Sequence, residues 1–154
     1  FFYQIEDLLK EEFTLNCELN EANKEMMKKI KSTNAVMLHV RRGDYINNNF
    51  FVSQPVSYYL NAIQKIKEVI KNPVFFVFSD DVNWTKENIQ TKDETHYCDI
   101  NDGKTDYMEL ALMSSCQHAI IANSTFSWWG AWLIKNPEKI YCYPLVAWNH
   151  LQIE

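Results

Sequence analysis

The stretch Ala35–Val40 (AVMLHV), followed directly by Arg41–Asp44 (RRGD), decides the fold of this 154-residue chain. A short apolar run without polar alternation is typical of a strand buried on both faces, as the strands of parallel sheets are. The run ends abruptly at two adjacent arginines. We therefore expect a buried parallel strand with charged side chains immediately beyond its carboxyl end.

Similar apolar runs alternate with helical segments after this strand. Further strands are predicted at Val74–Phe78, Thr95–Ile100, Ala119–Ala122 and Lys139–Tyr143. Apolar residues at helical spacing predict helices at Val56–Lys71, Val82–Gln90, Lys104–Cys116 and Trp128–Lys135, the third with Tyr107, Leu110, Ala111 and Ser114 on one face. This alternation predicts an open α/β fold in which a parallel sheet carries helices on both faces.

The first 34 residues are expected to form a helical lead-in, with helices at Ile5–Phe13 and Leu19–Lys31. Residues 35–154 are expected to form one domain, which agrees with a chain length of about one domain. Since the chain begins at Phe1 without an initiator Met, we expect it to be a piece of a longer protein.

The composition excludes several classes of protein. With 47% apolar and 23% charged residues the chain is globular rather than mainly disordered. No run approaches the roughly 18–20 apolar residues that span a bilayer. A net charge of −5 argues against electrostatic binding of nucleic acid over a broad surface and against a basic membrane-binding patch. The four cysteines, at positions 17, 98, 116 and 142, lack metal-ligand spacing and are interpreted as reduced, unpaired thiols.

Arginine occurs at only two of the 15 basic positions, Arg41 and Arg42. Lysine serves everywhere else, so this pair indicates a need for the planar, bidentate guanidinium fork. Neither GxGxxG nor GxxxxGKS/T occurs, and the arginines would have to bind any phosphate. Two guanidiniums at a strand end suit a diphosphate, with about 1.5–3 kcal/mol for each charge-assisted hydrogen bond.

Three polar clusters follow strands of the predicted sheet, at 39–44, 79–81 and 123–127. Open parallel sheets bind ligands outside the carboxyl ends of their strands, so we expect the clusters to form one site. Within the first cluster, His39 is interpreted as a satisfied core residue rather than a catalyst. Asp44 is interpreted as a structural carboxylate that caps backbone N–H groups or orients the arginines.

Asp80 and Asp81 have three open interpretations. The pair suits a helix cap, acceptors for ribose hydroxyls or a guanine edge, or a metal site. The neighbouring sequence supplies no further ligand for Mg²⁺, which makes the metal the weakest of the three.

The hydroxyl-rich turn of Ser124, Thr125 and Ser127 precedes a predicted helix, with Ser127 as its N-cap. Helix N-termini favour anions, so the turn predicts a second phosphate-binding element opposite the arginines. The tryptophans that follow are interpreted as packing residues, and Glu109, from spacing alone, as a solvated helix residue. The residue patterns alone thus predict an α/β domain that binds a phosphorylated nucleotide without a metal.

Three segments together resemble the α-1,2-fucosyltransferases of glycosyltransferase family 11: His39–Tyr45 (HVRRGDY), Phe76–Asp81 (FVFSDD) and Ala122–Trp132 (ANSTFSWWGAW). The HxRRxD part is shared with α-1,6- and protein O-fucosyltransferases, and the other two segments favour the α-1,2 branch. The resemblance extends from about Phe1 to Trp148.

The resemblance implies a GT-B architecture whose C-terminal, Rossmann-like half binds GDP-fucose; this chain would be that half, without the N-terminal domain. Arg41 would bind the β-phosphate with Arg42 in support, as the catalytic pair, and Asp44 would support them structurally. The position of Glu109 matches a carboxylate that reads guanine. The implied nucleotide-sugar-binding residues are His39 (largely through its backbone), Arg41, Arg42, Asp80, Asp81, Glu109, Ser124, Thr125 and Ser127.

The implied reaction is inverting transfer of L-fucose from GDP-β-L-fucose to the 2-hydroxyl of a glycan acceptor with a terminal galactose, in surface-glycan synthesis. No metal or cofactor is expected, because fixed guanidiniums stabilise the charge that grows on the β-phosphate. A donor-capturing module without transfer and an O-fucosyltransferase-type enzyme stay open, and no general base is assigned. We expect a bacterial cytoplasmic enzyme with peripheral membrane association, or a Golgi enzyme if the source is eukaryotic.

Overall fold

The computed structural model describes residues 5–13, 18–46 and 50–145. The elements are, in chain order, α1 (Glu6–Glu12), α2 (Glu21–Lys31), β1 (Asn34–Val40), a short 3-10 turn (Gly43–Tyr45), α3 (Val56–Val69), β2 (Pro73–Ser79), α4 (Val82–Asn88), β3 (Thr95–Tyr97), α5 (Asp106–Ser114), β4 (His118–Ile120), α6 (Thr125–Trp132) and β5 (Tyr141–Cys142). Cys17, one of the predicted thiols, lies outside the described residues. So do residues 146–148, at the end of the segment that carries the resemblance.

The five strands form one parallel sheet in the order β3-β2-β1-β4-β5. β1 is central and pairs over its whole length with β2, from Asn34 opposite Pro73 to Val40 opposite Ser79. On its other side Leu38 lies opposite Ile120 of β4. The predicted open α/β fold with a parallel sheet is confirmed.

Both faces of the sheet are covered, as the apolar run of β1 requires. Alternate residues of β1 belong to two separate core clusters, Met37 to one and Leu38 to the other. The first cluster includes residues of α2, α5 and α6, and the second includes Tyr59, Ile63 and Ile66 of α3. Successive side chains of a strand point to opposite faces, so β1 is apolar on both faces from Ala35 to Leu38 and at Val40, with His39 as its buried polar residue.

Element boundaries differ from the predictions at α6, which was predicted at Trp128–Lys135 and lies three residues earlier, and at the edges of the sheet. β3 ends at Tyr97 and β5 contains two residues, so both edge strands are shorter than predicted. In α5 the buried residues are Met108, Leu112 and Met113, whereas Tyr107 is exposed. The predicted inner face of this helix is therefore wrong. The segment is apolar on nearly all sides, so its periodicity does not identify the buried face.

The described cysteines agree with the prediction of unpaired thiols. Cys98 and Cys116 are buried, Cys142 is half-buried, and all three are free. Burial raises the pKa of each of these thiols, which keeps them protonated and poorly nucleophilic. Within the described ranges, none of the helices has both the length and the apolar character that a membrane crossing requires.

Candidate functional site

The three polar clusters meet at the carboxyl edge of the sheet, as predicted. β1 and β2 end in register at Val40 and Ser79, and the polar segments that follow them are joined through Asp80. The phenol of Tyr45 donates a hydrogen bond to the carbonyl oxygen of Asn123 at 3.2 Å, which links the segment after β1 to the segment after β4. We refer to this edge, with its three segments, as the rim.

Arg41 is held by two carboxylates of the rim. Its Nε donates to Asp44 Oδ1 at 2.8 Å and its Nη2 to Asp44 Oδ2 at 2.9 Å, which is a bidentate pair. Nε also lies 3.3 Å from Asp80 Oδ2. The bond from Arg41 lowers the pKa of Asp44. The structural interpretation of Asp44 is confirmed, because its carboxylate orients a guanidinium that is still about one third exposed.

Arg42 is held from the opposite side, by the start of α4. Its Nε lies 3.3 Å from Asp81 Oδ2, and its Cζ lies 3.9 Å from the ring centroid of Trp84. The guanidinium is therefore stacked on an indole face while it is paired with a carboxylate. Trp84 does not belong to any of the three polar clusters from which the site was predicted. Its position three residues after Asp81 in a predicted helix was the available signal.

Asp80 and Asp81 both bind backbone, in different places. Asp80 accepts hydrogen bonds from the N–H groups of Arg42, at 2.8 Å, and Gly43, at 3.0 Å. Asp81 is the N-cap of α4 and accepts from the N–H of Trp84 at 3.2 Å, so the capping interpretation is confirmed. Among the residues that the structure describes, no three His, Cys, Asp or Glu side chains gather in a way that suits a metal ion.

Gly43 lies where the Asp80 carboxylate approaches the backbone closely. A Cβ at this position would lie 3.0 Å from Asp80 Oδ2 and 3.4 Å from its Cγ. A side chain at this position would crowd the carboxylate that accepts from both N–H groups, so Asp80 would have to shift by a few tenths of an ångström. The glycine of RRGD thus leaves room for Asp80 to join the segment after β1 to the segment after β2.

The turn into α6 differs from its prediction. The helix begins at Thr125, with Ser124 at the N-cap position and without a side-chain cap. Ser127 lies inside the first turn, fully buried, and its Oγ accepts the N–H of Ala122 at 3.0 Å. The prediction that Ser127 is the N-cap is therefore wrong. Its hydroxyl is needed by a backbone donor just beyond β4, a requirement that residue spacing does not reveal.

His39 is buried, with 3% of its surface exposed, and its ring lies edge-on to Phe126 with centroids 6.0 Å apart. Burial, with a smaller contribution from the charge of Arg41, lowers the pKa of His39 to about 3. Among the described residues Nδ1 has no hydrogen-bond partner. The core placement is confirmed, whereas the expectation of a satisfied side chain is wrong for this nitrogen.

Glu109 is half-buried, so its interpretation as a solvated residue is wrong. Burial, reinforced by the negative charges of Asp106, Asp80 and Asp99, raises its pKa to about 7, and Arg41 opposes this shift. Glu109 lies in the first turn of α5, on the side of the sheet where the rim is. The reason is topological, because α5 starts where the chain returns from the carboxyl edge after β3.

The structure therefore brings together Arg41, Arg42, Asp44, Asp80 and Asp81 by direct contacts, with Glu109 nearby. Ser124, half-buried, and Thr125, exposed, lie at the start of α6 on the same edge. A cavity of about 530 Å³ lies elsewhere, between α1, α2, α5 and the end of α6, and no predicted site residue lines it.

Comparison with known proteins relates this chain to glycosyltransferases. The family model for glycosyl transferase family 11 matches residues 1–146. An α-1,2-colitosyltransferase of Escherichia coli is 39% identical over 142 residues, which is 86% of this chain and 47% of that protein. An O-antigen biosynthesis glycosyltransferase of Escherichia coli is 41% identical over 120 residues, 74% of this chain and 39% of that protein. The galactoside α-(1,2)-fucosyltransferase 1 of Homo sapiens is 28% identical over 145 residues, 86% of this chain and 40% of that protein. The chain thus spans less than half the length of each of these relatives.

Proposed function

Because the chain belongs to glycosyl transferase family 11, we propose that it contains the donor-binding half of a GT-B glycosyltransferase. Residues 35–154 form the Rossmann-like domain that binds the nucleotide sugar, and residues 1–34 form a helical segment that leads into it. The donor in this proposal is GDP-β-L-fucose, and the acceptor is the 2-hydroxyl of a terminal galactoside.

The observation that carries this proposal is the pair of arginines fixed on one rim, beside the start of α6. Arg41 is oriented by Asp44 and Arg42 by Asp81, so both guanidiniums are in place before a ligand arrives. As the bond from the anomeric carbon to GDP breaks, negative charge grows on the β-phosphate. Groups already aimed at that charge stabilise the transition state more than the ground state, which accelerates transfer.

Each rim residue has a role in the proposal. Arg41 binds the β-phosphate through the terminal N–H groups that its pair with Asp44 leaves unused, so Asp44 keeps orienting the guanidinium. Arg42 binds the same diphosphate from the α4 side. The backbone at Ser124 and Thr125 adds the positive end of α6. The carboxylate of Glu109 accepts from the N–H groups of guanine.

The proposed site also includes four residues that border the nucleotide or support its ligands, namely His39, Asp80, Asp81 and Ser127. The backbone of His39 borders the nucleotide, while Asp80 and Asp81 hold the arginine segment in position. The buried hydroxyl of Ser127 supports the turn into α6. Two guanidiniums and a helix end supply the charge stabilisation that Mg²⁺ supplies in other glycosyltransferases, so the proposed reaction needs no metal.

A second candidate donor is a GDP-linked 3,6-dideoxy sugar, GDP-colitose. The α-1,2-colitosyltransferase and the human galactoside α-(1,2)-fucosyltransferase 1 each align with 86% of this chain, at 39% and 28% identity respectively. Colitose is L-fucose without the 3-hydroxyl. The two candidates therefore share the nucleotide and the linkage and differ only in one contact to the sugar.

The deciding experiment assays the full-length protein with galactoside acceptors in the presence of EDTA. GDP-fucose, GDP-colitose, UDP-galactose and ADP-glucose are compared as donors, and the linkage of the product is determined by NMR. We expect an α-1,2-linked product from a GDP-linked deoxy sugar, undiminished by EDTA. Binding of GDP without any product would favour a donor-capturing module. Transfer to a peptide hydroxyl in place of galactose would favour an O-fucosyltransferase-type enzyme.

A further inference from the structure

Trp84 occupies a place that neither the sequence motifs nor the family match assigns to a role. It lies in the first turn of α4, half-buried, and packs partly against the core cluster on the α3 side of the sheet. Its ring face is covered by the guanidinium of Arg42, with Cζ 3.9 Å from the ring centroid. The indole thus contacts both the core and, at its ring face, a residue proposed to bind phosphate.

Arg42 depends on this ring for its orientation. In the described part of the chain, the only polar contact of its side chain is made by Nε, which lies 3.3 Å from Asp81 Oδ2. A single contact at the inner nitrogen leaves the guanidinium plane free to turn. Stacking on a flat aromatic face fixes that plane and leaves the two terminal nitrogens at its outer edge.

The two arginines differ in this respect. Arg41 commits Nε and one N–H of Nη2 to Asp44, which leaves Nη1 and the second N–H of Nη2 for a phosphate. Arg42 keeps its terminal nitrogens for a ligand because an aromatic ring, rather than a second carboxylate, holds it. Fixing a long side chain before binding reduces the entropy lost when the ligand arrives.

Asp81 links the two partners of Arg42. Its Oδ2 pairs with the guanidinium, and its Oδ1 accepts the N–H of Trp84 at 3.2 Å. The cap of α4 therefore sets the ring and the ion pair in one fixed arrangement. Asp81, Trp84 and Arg42 form a unit that we call the α4 clamp.

We propose that Trp84 is a positioning residue for the donor diphosphate and acts by holding the guanidinium of Arg42 in a binding orientation. This inference rests on the proposed function. It adds a determinant of nucleotide affinity that lies outside the HxRRxD segment. An aromatic ring at position 84 is required, and apolar volume alone does not replace it.

The test measures GDP binding by calorimetry with the full-length protein and variants at position 84. Trp84→Phe keeps a ring face, so we expect affinity within about threefold of wild type. Trp84→Leu removes the face, and we expect about a tenfold loss, which corresponds to about 1.4 kcal/mol. Asn83→Ala, on the exposed side of the same helix, is the matched control with unchanged affinity.

A double-mutant cycle separates positioning from general stability. In an Arg42→Ala background, Trp84→Leu is expected to change GDP affinity by less than about twofold, because the group it positions is absent. In steady-state transfer, Trp84→Leu raises the KM for the nucleotide sugar and leaves the KM for the acceptor unchanged. Thermal unfolding is measured for every variant. If Trp84→Leu does not fold, Trp84→Met takes its place, since its unbranched side chain adapts to the space and also lacks a ring face.

The outcomes are distinct. Equal affinities for wild type and Trp84→Leu, or a further tenfold loss in the Arg42→Ala background, overturn the role of Trp84. A wild-type protein that does not bind GDP overturns the proposed function itself. Weakened binding in Trp84→Phe as severe as in Trp84→Leu shows that the indole serves packing, and this also overturns the inference.

Discussion

Arg41 shows how much depends on the shape of one cation. Replacing Arg41 by Lys keeps the charge but removes the fork that bonds Asp44 at 2.8 and 2.9 Å. We expect GDP affinity to fall at least about tenfold, since loss of one charged bidentate contact costs about 1.4 kcal/mol or more. Calorimetry measures the loss. Lys65→Arg, an exposed substitution on α3, is the control, and an Arg41→Lys protein with wild-type affinity would contradict the phosphate role.

Glu109 makes donor binding depend on pH. Guanine donates through its N1–H and 2-amino group, and only an ionised carboxylate accepts both. Since the pKa of Glu109 is raised to about 7, GDP affinity should rise about tenfold from pH 6 to pH 8 as the carboxyl ionises. Glu109→Gln should abolish this rise and weaken the preference for GDP over ADP. A pH profile identical in wild type and variant would remove Glu109 from the site.

At the scale of single residues, sequence reasoning succeeds where the local chain supplies the partner. Asp44 lies three residues after Arg41, and their pairing follows from that spacing. Trp84 was missed because its partner is distant along the chain, and Glu109 was identified through the family resemblance alone, since its spacing indicated a solvated residue. Arg42 lies 42 positions before Trp84, and only the parallel pairing of β1 with β2 brings them together.

At the scale of elements, the connection between β1 and β2 depends on one glycine. Gly43→Ala would place a Cβ 3.0 Å from Asp80 Oδ2, so the carboxylate has to shift and its two backbone hydrogen bonds weaken. We expect a loss of about 1 kcal/mol in the free energy of unfolding and a weaker GDP affinity. Chemical denaturation and calorimetry measure the two effects.

Gly103 provides the matched control for this substitution. A Cβ at Gly103 would have no atom within 4 Å, and no described glycine has a positive φ. Gly103→Ala should therefore leave both stability and GDP affinity close to wild type. Equal behaviour of the two alanine variants would show that Asp80 adjusts without cost, contrary to its role as a clamp.

Strands that are buried on both faces were predicted accurately, whereas the start of α6 was predicted wrongly. The apolar runs of β1 and β2 fix these strands within one residue at each end. In the turn before α6, several hydroxyl residues in succession suit an N-cap equally well. Ser127 is excluded only because its hydroxyl is used by the N–H of Ala122, a tertiary requirement.

At the scale of the whole molecule, two groups near the rim make the free energy of unfolding depend on pH, and their effects have opposite signs. The pKa of His39 falls from 6.5 to about 3 on folding, so its contribution to stability is complete above pH 6.5 and is lost as the pH falls toward 3. The pKa of Glu109 rises from 4.5 to about 7, so its contribution is complete below pH 4.5 and is lost as the pH rises through 7.

These opposing couplings predict a stability that changes little between pH 4.5 and 6.5 in the wild-type chain. Each group alone would give a slope of about 1.4 kcal/mol per pH unit, positive for His39 and negative for Glu109. His118, whose pKa is also lowered by burial, acts in the same direction as His39. Urea denaturation across this range should show stability rising with pH in Glu109→Gln and falling with pH in His39→Gln. Parallel profiles for the three proteins would mean that neither group is held in its uncharged form by burial near the rim.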